Sequence, residues 1–156
     1  MHIHPVSIPI ATPVTRARGH ALFYWCCLLL LCSAYLQGGL QKAADFPAAV
    51  AEMRHFGLAP AGPVALLAIA GELCASLLIL TGRLRWAGAL YLALFTFAAN
   101  FIANRFWEIE GMARTMATNA FFEHLGLVGA LLIVAWLDLN ARRARTAASK
   151  NSTIVN

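Results

Sequence analysis

Apolar residues crowd into four stretches of this chain, and polar, glycine or proline residues mark the breaks between them. A hydrocarbon core of about 30 Å takes about 20 helical residues at about 1.5 Å each. Residues 21–40, 62–82, 86–104 and 119–137 meet that length. The first and third carry no Lys, Arg, Asp or Glu, the second carries Glu72 alone, and the fourth is charged near its start at Glu123. The spacing predicts an all-α, integral-membrane, up-and-down four-helix bundle. A cleaved signal peptide is the alternative for the first stretch, because basic residues precede it. No A-x-A site follows, so a retained helix is expected.

Between the first two spans, Phe46, Val50, Met53 and Phe56 recur at helical spacing, Pro47 suits a first turn and Gly57 a stop. A short interfacial helix in the first outer loop is expected there, either capping the bundle or offered to a partner. Residues 105–118 read as the second outer loop, with Phe106 and Trp107 at the membrane boundary. Residues 1–18, with Pro5, Pro9 and Pro13, read as a flexible cytoplasmic tail, and 19–140 as the membrane domain. Residues 141–156 form a basic cytoplasmic tail, expected to fray and to touch anionic lipid.

Composition removes the competing classes. Hydrophobic residues make up 60% of the 156 positions and charged ones 12%, against about 45–50% and about 25% in soluble domains. That little charge cannot cover a small soluble globule, and so apolar a chain does not stay disordered. The formal charge of +5 sits at the edges of the apolar runs, not in a stripe interleaved with aromatics, so no nucleic-acid partner is expected. The amino end, the Arg83/Arg85 turn and the carboxyl tail hold eight of the twelve Lys and Arg residues. Both termini are therefore expected to be cytoplasmic. Cys26, Cys27, Cys32 and Cys74 lie within apolar runs with no C-x-x-C spacing, as soft packing residues would, and a redox pair of Cys32 with Cys74 is the alternative.

Ionisable groups at bilayer depth are costly and mark candidate sites. Glu72 sits midway along its span, roughly 15 Å deep at the helical rise. Its carboxyl is either protonated among apolar groups, paired with a base, or turned to a cavity. It could equally serve only to hold the packing. Thr96, Asn100 and Asn104 share one face of the third span, which should point inward to find partners. Asn119, Glu123, Gly126 and Ala130 share a stripe of the fourth, where Gly126 and Ala130 would admit a close helix. Glu123 and His124 could bind a head group or relay protons, or could simply sit at a wet helix end. As adjacent helical residues they cannot both face one point. Lys42 closes the first span on the faces of Gly38 and Gly39.

Under the expected orientation, Lys42, Asn100, Asn104, Glu123 and His124 all fall in the outer half, with Glu72 deepest. A pocket opening to the outer leaflet is expected, apolar below and polar above, suited to a quinone or a lipid head group. Candidate ligand-binding or proton-handling residues are Glu72, Glu123, His124, Asn100 and Lys42. No haem, zinc, P-loop or dinucleotide signature is present, and Met112, Met116, Met53 and His55 read as packing in preference to a soft copper site, so no intrinsic cofactor is expected.

These residues resemble the DoxX family of small four-helix bacterial membrane proteins. The resemblance runs over about 35–136. It rests on Gly39-x-x-Lys42, Phe46, Met53…Phe56-Gly57-x-x-Pro60, Glu72, Gly82 with Arg85, Phe106-Trp107 and Phe121-Phe122-Glu123-His124-Leu125-Gly126-Leu127-x-Gly129. Many relatives carry Lys-Asn where this chain has Glu123-His124, and some have redox cysteine pairs that this chain lacks. The resemblance implies a multi-pass protein of the bacterial inner membrane linked to respiratory or sulfur redox complexes, in some members a quinone-linked oxidoreductase subunit. Two readings follow. One is a subunit of, or accessory to, a membrane redox complex that binds quinone or quinol and takes electrons from a partner subunit. The other is a non-catalytic assembly, chaperone or envelope-stress protein. A transporter is weaker, because four helices without a repeat leave little room for alternating access unless the chain forms a homo-oligomer.

Overall fold

In a computed structural model of the chain, residues 13–154 are described, with side chains described over 20–150. Five helices and one 3-10 turn follow in order: α1 Pro13–Ala44, α2 Phe46–His55, α3 Ala61–Thr81, α4 Arg85–Ala103, the turn Phe106–Glu108, and α5 Gly111–Ile154. No strand occurs among the described residues. Four of the helices, α1, α3, α4 and α5, are long and apolar enough to cross a membrane. They pack in chain order, α1 on α3, α3 on α4 and α4 on α5. The up-and-down bundle follows from short connections, and α2 is the short helix that the Phe46…Phe56 spacing predicts.

Local chemistry sets the boundaries. Asp45 caps α2 by accepting the Ala48 N–H at 3.1 Å. Helix α3 stops at Gly82, whose φ of 74° lies in the left-handed region that glycine enters without penalty. The Ile79 carbonyl takes the Gly82 N–H at 3.3 Å and also the Arg85 Nε–H at 2.9 Å, so the side chain reinforces the helix end.

Two expectations need revision. The stretch 111–118 is not loop, because α5 already begins at Gly111, so only the residues from 104 to 110 connect α4 to α5. The carboxyl stretch is helical to Ile154 rather than frayed. Ala and Arg recur in both segments, with Met112 and Met116 in the first, and all three favour helix; the Arg142 Nε–H also donates to Asp138 at 2.8 Å one turn earlier. At 44 residues, α5 runs roughly 66 Å at the helical rise, far beyond a hydrocarbon core. Pro5 and Pro9 lie outside the described residues, and positions 13–18 form the first turns of α1.

The bundle is packed differently at its two ends. Toward the α3–α4 turn, Leu28, Cys32, Ile79, Leu92 and Leu131 are fully buried in one cluster drawn from all four long helices. At the other end, Met53 and Ala49 of α2 pack on Ala65 of α3 as a separate cluster. The outward face stays apolar, with Leu66, Leu94, Ile133 and Trp136 exposed, as a face meeting lipid requires.

Candidate functional site

Between these two clusters lies a cavity of about 420 Å³, walled by all five helices at the α2 end. A volume in that range suits a small ligand or part of a larger amphiphile. Its wall is mostly apolar and aromatic, including Phe56, Tyr91, Phe95 and Leu127. The polar exceptions are few and placed by identifiable contacts.

Lys42, on the last turn of α1, and Glu72, at the middle of α3, both line the cavity. The Lys42 ammonium donates to both carboxylate oxygens of Glu72, at 3.1 and 3.2 Å. Two glycines allow this meeting. A Cβ on Gly39 would come within 2.9 Å of the Leu73 side chain, so its absence lets α1 close on α3. A Cβ on Gly38 would stand 3.5 Å from the ammonium and 3.6 Å from Glu72 Oε2, so this glycine leaves the pair open to the cavity. Of the fates open to a carboxyl at this depth, pairing with a base and facing a cavity both hold.

Helix α4 supplies the next polar layer. The Tyr35 and Thr96 hydroxyls hydrogen-bond at 2.5 Å, joining α1 to α4, and both residues line the cavity. Asn100 is as buried as Thr96 but does not line it. Its amide donates to the Phe121 carbonyl at 3.0 Å and accepts from Asn104 at 2.8 Å, so it fastens α4 to α5. The inward face predicted for Thr96, Asn100 and Asn104 therefore exists, with separate duties along it.

Helix α5 separates the adjacent pair. His124 is half-buried and lines the cavity, while Glu123 is exposed on the outside of the bundle. The His124 Nδ1–H donates to the Ala120 carbonyl at 2.5 Å, which leaves the lone pair of a neutral ring on Nε2. Gly126 shares the Glu123 stripe, and no atom lies within 4 Å of where its Cβ would be. The close helix contact expected at Gly126 is thus not made within the chain. Thus Lys42, Glu72 and His124 come together, and Asn100 and Glu123 stand apart from them.

Two further residues belong to this wall. Glu52 reaches the cavity rim from α2. Tyr91 projects its phenol into the notch left by Gly71, where any Cβ would overlap the ring and hydroxyl, and it stacks on Phe95 at 6.3 Å and 9°. An isolated tyrosine in an apolar span gives little sequence signal, and its glycine seat is a tertiary feature. Among the described residues, no group of three or more His, Cys, Asp or Glu side chains is arranged to hold a metal ion.

The opposite end is tied differently. Asp138 of α5 accepts the Trp86 N–H at the start of α4, at 3.2 Å, and pairs with Arg142. Arg142 also donates to the Gly82 carbonyl at 3.3 Å, and Arg85 lies over the Tyr24 ring at 5.4 Å. These contacts hold the α3–α4 turn without bordering the cavity.

No curated protein and no solved structure matches the chain. The DoxX family model matches residues 28–105, half of the 156 positions, and that stretch holds both members of the Lys42–Glu72 pair but ends before His124. The chain is a multi-pass membrane protein, and it belongs to the DoxX family.

Proposed function

We propose that this protein binds a quinone or quinol, or an amphiphile of similar shape, in the cavity at its α2 end, as a component of or accessory to a membrane redox complex. The observation that carries this reading is the composition of the cavity wall. An aromatic, apolar enclosure of about 420 Å³ holds an ion pair and a histidine whose Nδ1 is already engaged. Burying an ion pair seldom stabilises a fold relative to apolar packing. A pair kept beside a cavity is better explained by what enters it. Lys42, Glu72 and His124 would meet the polar head, and Phe56, Tyr91 and Phe95 the ring and the start of the tail.

The excess of Lys and Arg at the α3–α4 turn and the carboxyl end supports placing that end in the cytoplasm of a bacterial inner membrane. The cavity would then serve the outer leaflet. With no cofactor signature in the chain, electrons would reach a bound quinone from a partner subunit. A non-catalytic scaffold has one observation in its favour, because Asn100 and the Tyr35–Thr96 pair already have partners on other helices.

Binding separates the two readings. The purified full chain in lipid nanodiscs is titrated with ubiquinone and menaquinone analogues, beside Glu72→Gln and His124→Ala. Saturable binding weakened by either variant supports the ligand site. Absence of saturation, with thermal stability unmoved by excess ligand, supports the scaffold.

A further inference from the structure

Resting on the reading of the cavity as a ligand site, we propose that it selects a neutral amphiphile whose head group donates hydrogen bonds through hydroxyls, and that it rejects anionic head groups. The selection follows from which hydrogen-bonding groups the wall leaves free. Its strongest donor, the Lys42 ammonium, is directed at both oxygens of Glu72. The Tyr35 and Thr96 hydroxyls share one hydrogen bond, which leaves one proton of the pair, and the Tyr91 phenol beside Gly71 is a further donor. On the accepting side stand the Nε2 lone pair of His124, set free because Nδ1–H donates to Ala120, the remaining lone pairs of Glu72, and the Glu52 carboxylate at the rim. Acceptors outnumber donors at this wall.

Charge points the same way. Two carboxylates, Glu52 and Glu72, and one ammonium, Lys42, border the cavity. These two carboxylates outnumber the one ammonium, which is already paired, so a carboxylate or phosphate head group would enter against repulsion and without a free lysine to meet it. A hydroxyl donating to His124 Nε2 meets neither obstacle. Of a quinone and its reduced form, which have nearly the same shape, the hydroxyl-bearing quinol fits this wall. A neutral glycerolipid offers the same hydroxyl chemistry from another source.

The test is competition on the full chain in nanodiscs under an oxygen-free atmosphere. The ligands are a short-tailed benzoquinol, its quinone with the same tail, dodecanoate and monododecanoylglycerol. The quinol should bind roughly tenfold more tightly than the quinone, the size of one neutral hydrogen bond made or lost, and dodecanoate should not displace it. His124→Phe should bring the quinol-to-quinone ratio near one. The wild-type ratio needs no variant and stands even if His124→Phe fails to fold. Displacement of the quinol by the monoacylglycerol supports the hydroxyl class and assigns it to lipid. Equal or tighter quinone binding, or displacement by dodecanoate, overturns the selection while leaving the cavity a ligand site. Binding of none of the four overturns the ligand site itself.

Discussion

The Lys42 ammonium stands 3.1 and 3.2 Å from the two carboxylate oxygens of Glu72, thirty positions later in the chain. The side chains are unequally covered, Glu72 at 7% exposure and Lys42 at 21%. Removing one partner of a buried pair strands the other charge, at about 3–5 kcal/mol. Because the lysine keeps some access to its surroundings, Glu72→Gln should fall at the low end, about 3 kcal/mol. Replacing both residues by methionine should recover most of that loss, since an apolar pair strands no charge. Thermal unfolding in one fixed detergent checks both. A double variant no more stable than either single one would mean that the pair holds the helices by more than its own charges.

Adjacent glycines should respond in opposite ways. Gly39→Ala drives a methyl into Leu73 at 2.9 Å, whereas the same change at Gly38 meets only ordinary contacts at 3.5 and 3.6 Å. Overpacking of this kind typically costs about 1–3 kcal/mol, so Gly39→Ala should lower the unfolding temperature. Gly38→Ala should leave it near that of the wild type and instead crowd the ion pair, weakening ligand binding. Equal stability of the two variants would contradict the close α1–α3 crossing.

Tyr91 offers a test of the cavity wall. Any side chain at Gly71 collides with its phenol, so Gly71→Ala must move the ring or separate α3 from α4. A loss of about 1–3 kcal/mol is expected, and Tyr91→Ala in the same chain should relieve the collision. Double-variant unfolding that merely adds the two single losses would place the phenol elsewhere.

Much of this was legible in the apolar runs, because lipid forces spans to be long and uncharged and so writes their positions into the sequence. The α2 helix was equally legible from the Phe46, Val50, Met53 and Phe56 spacing and from the Asp45–Phe46–Pro47 start. Glu72 and Lys42 stood out separately as charges at apolar depth. Their pairing did not, since it depends on how closely Gly39 lets α1 approach α3. Spacing could say that Glu123 and His124 diverge, but the turn of α5 about its own axis decides which one faces inward. Tyr91 leaves no such trace in the sequence, because its seat at Gly71 is on another helix. The start of α5 at Gly111 lies ahead of the apolar run, because its first two turns are polar although their residues favour helix.

Asp138 should matter to stability and not to ligand binding. It accepts the Trp86 N–H, one of the unpaired donors at the α4 N-terminus, and holds Arg142, which reaches the Gly82 carbonyl. Losing such a cap costs typically about 1 kcal/mol, and Asp138→Ala should destabilise by about 1–2 kcal/mol. Its affinity for any cavity ligand should stay at the wild-type value. A large drop in affinity would show that the two ends of the bundle are coupled.

The central claim is that the cavity beside Lys42, Glu72 and His124 holds a ligand. Photolabelling with a quinone analogue carrying a photoreactive group on its ring, followed by mass spectrometry of the labelled peptides, tests it most directly. The account predicts adducts on Phe56, Tyr91 and Phe95, diminished by excess unlabelled ligand and weakened in Glu72→Gln. Adducts confined to outward residues such as Leu94, Ile133 and Trp136, and unaffected by competitor, would contradict it.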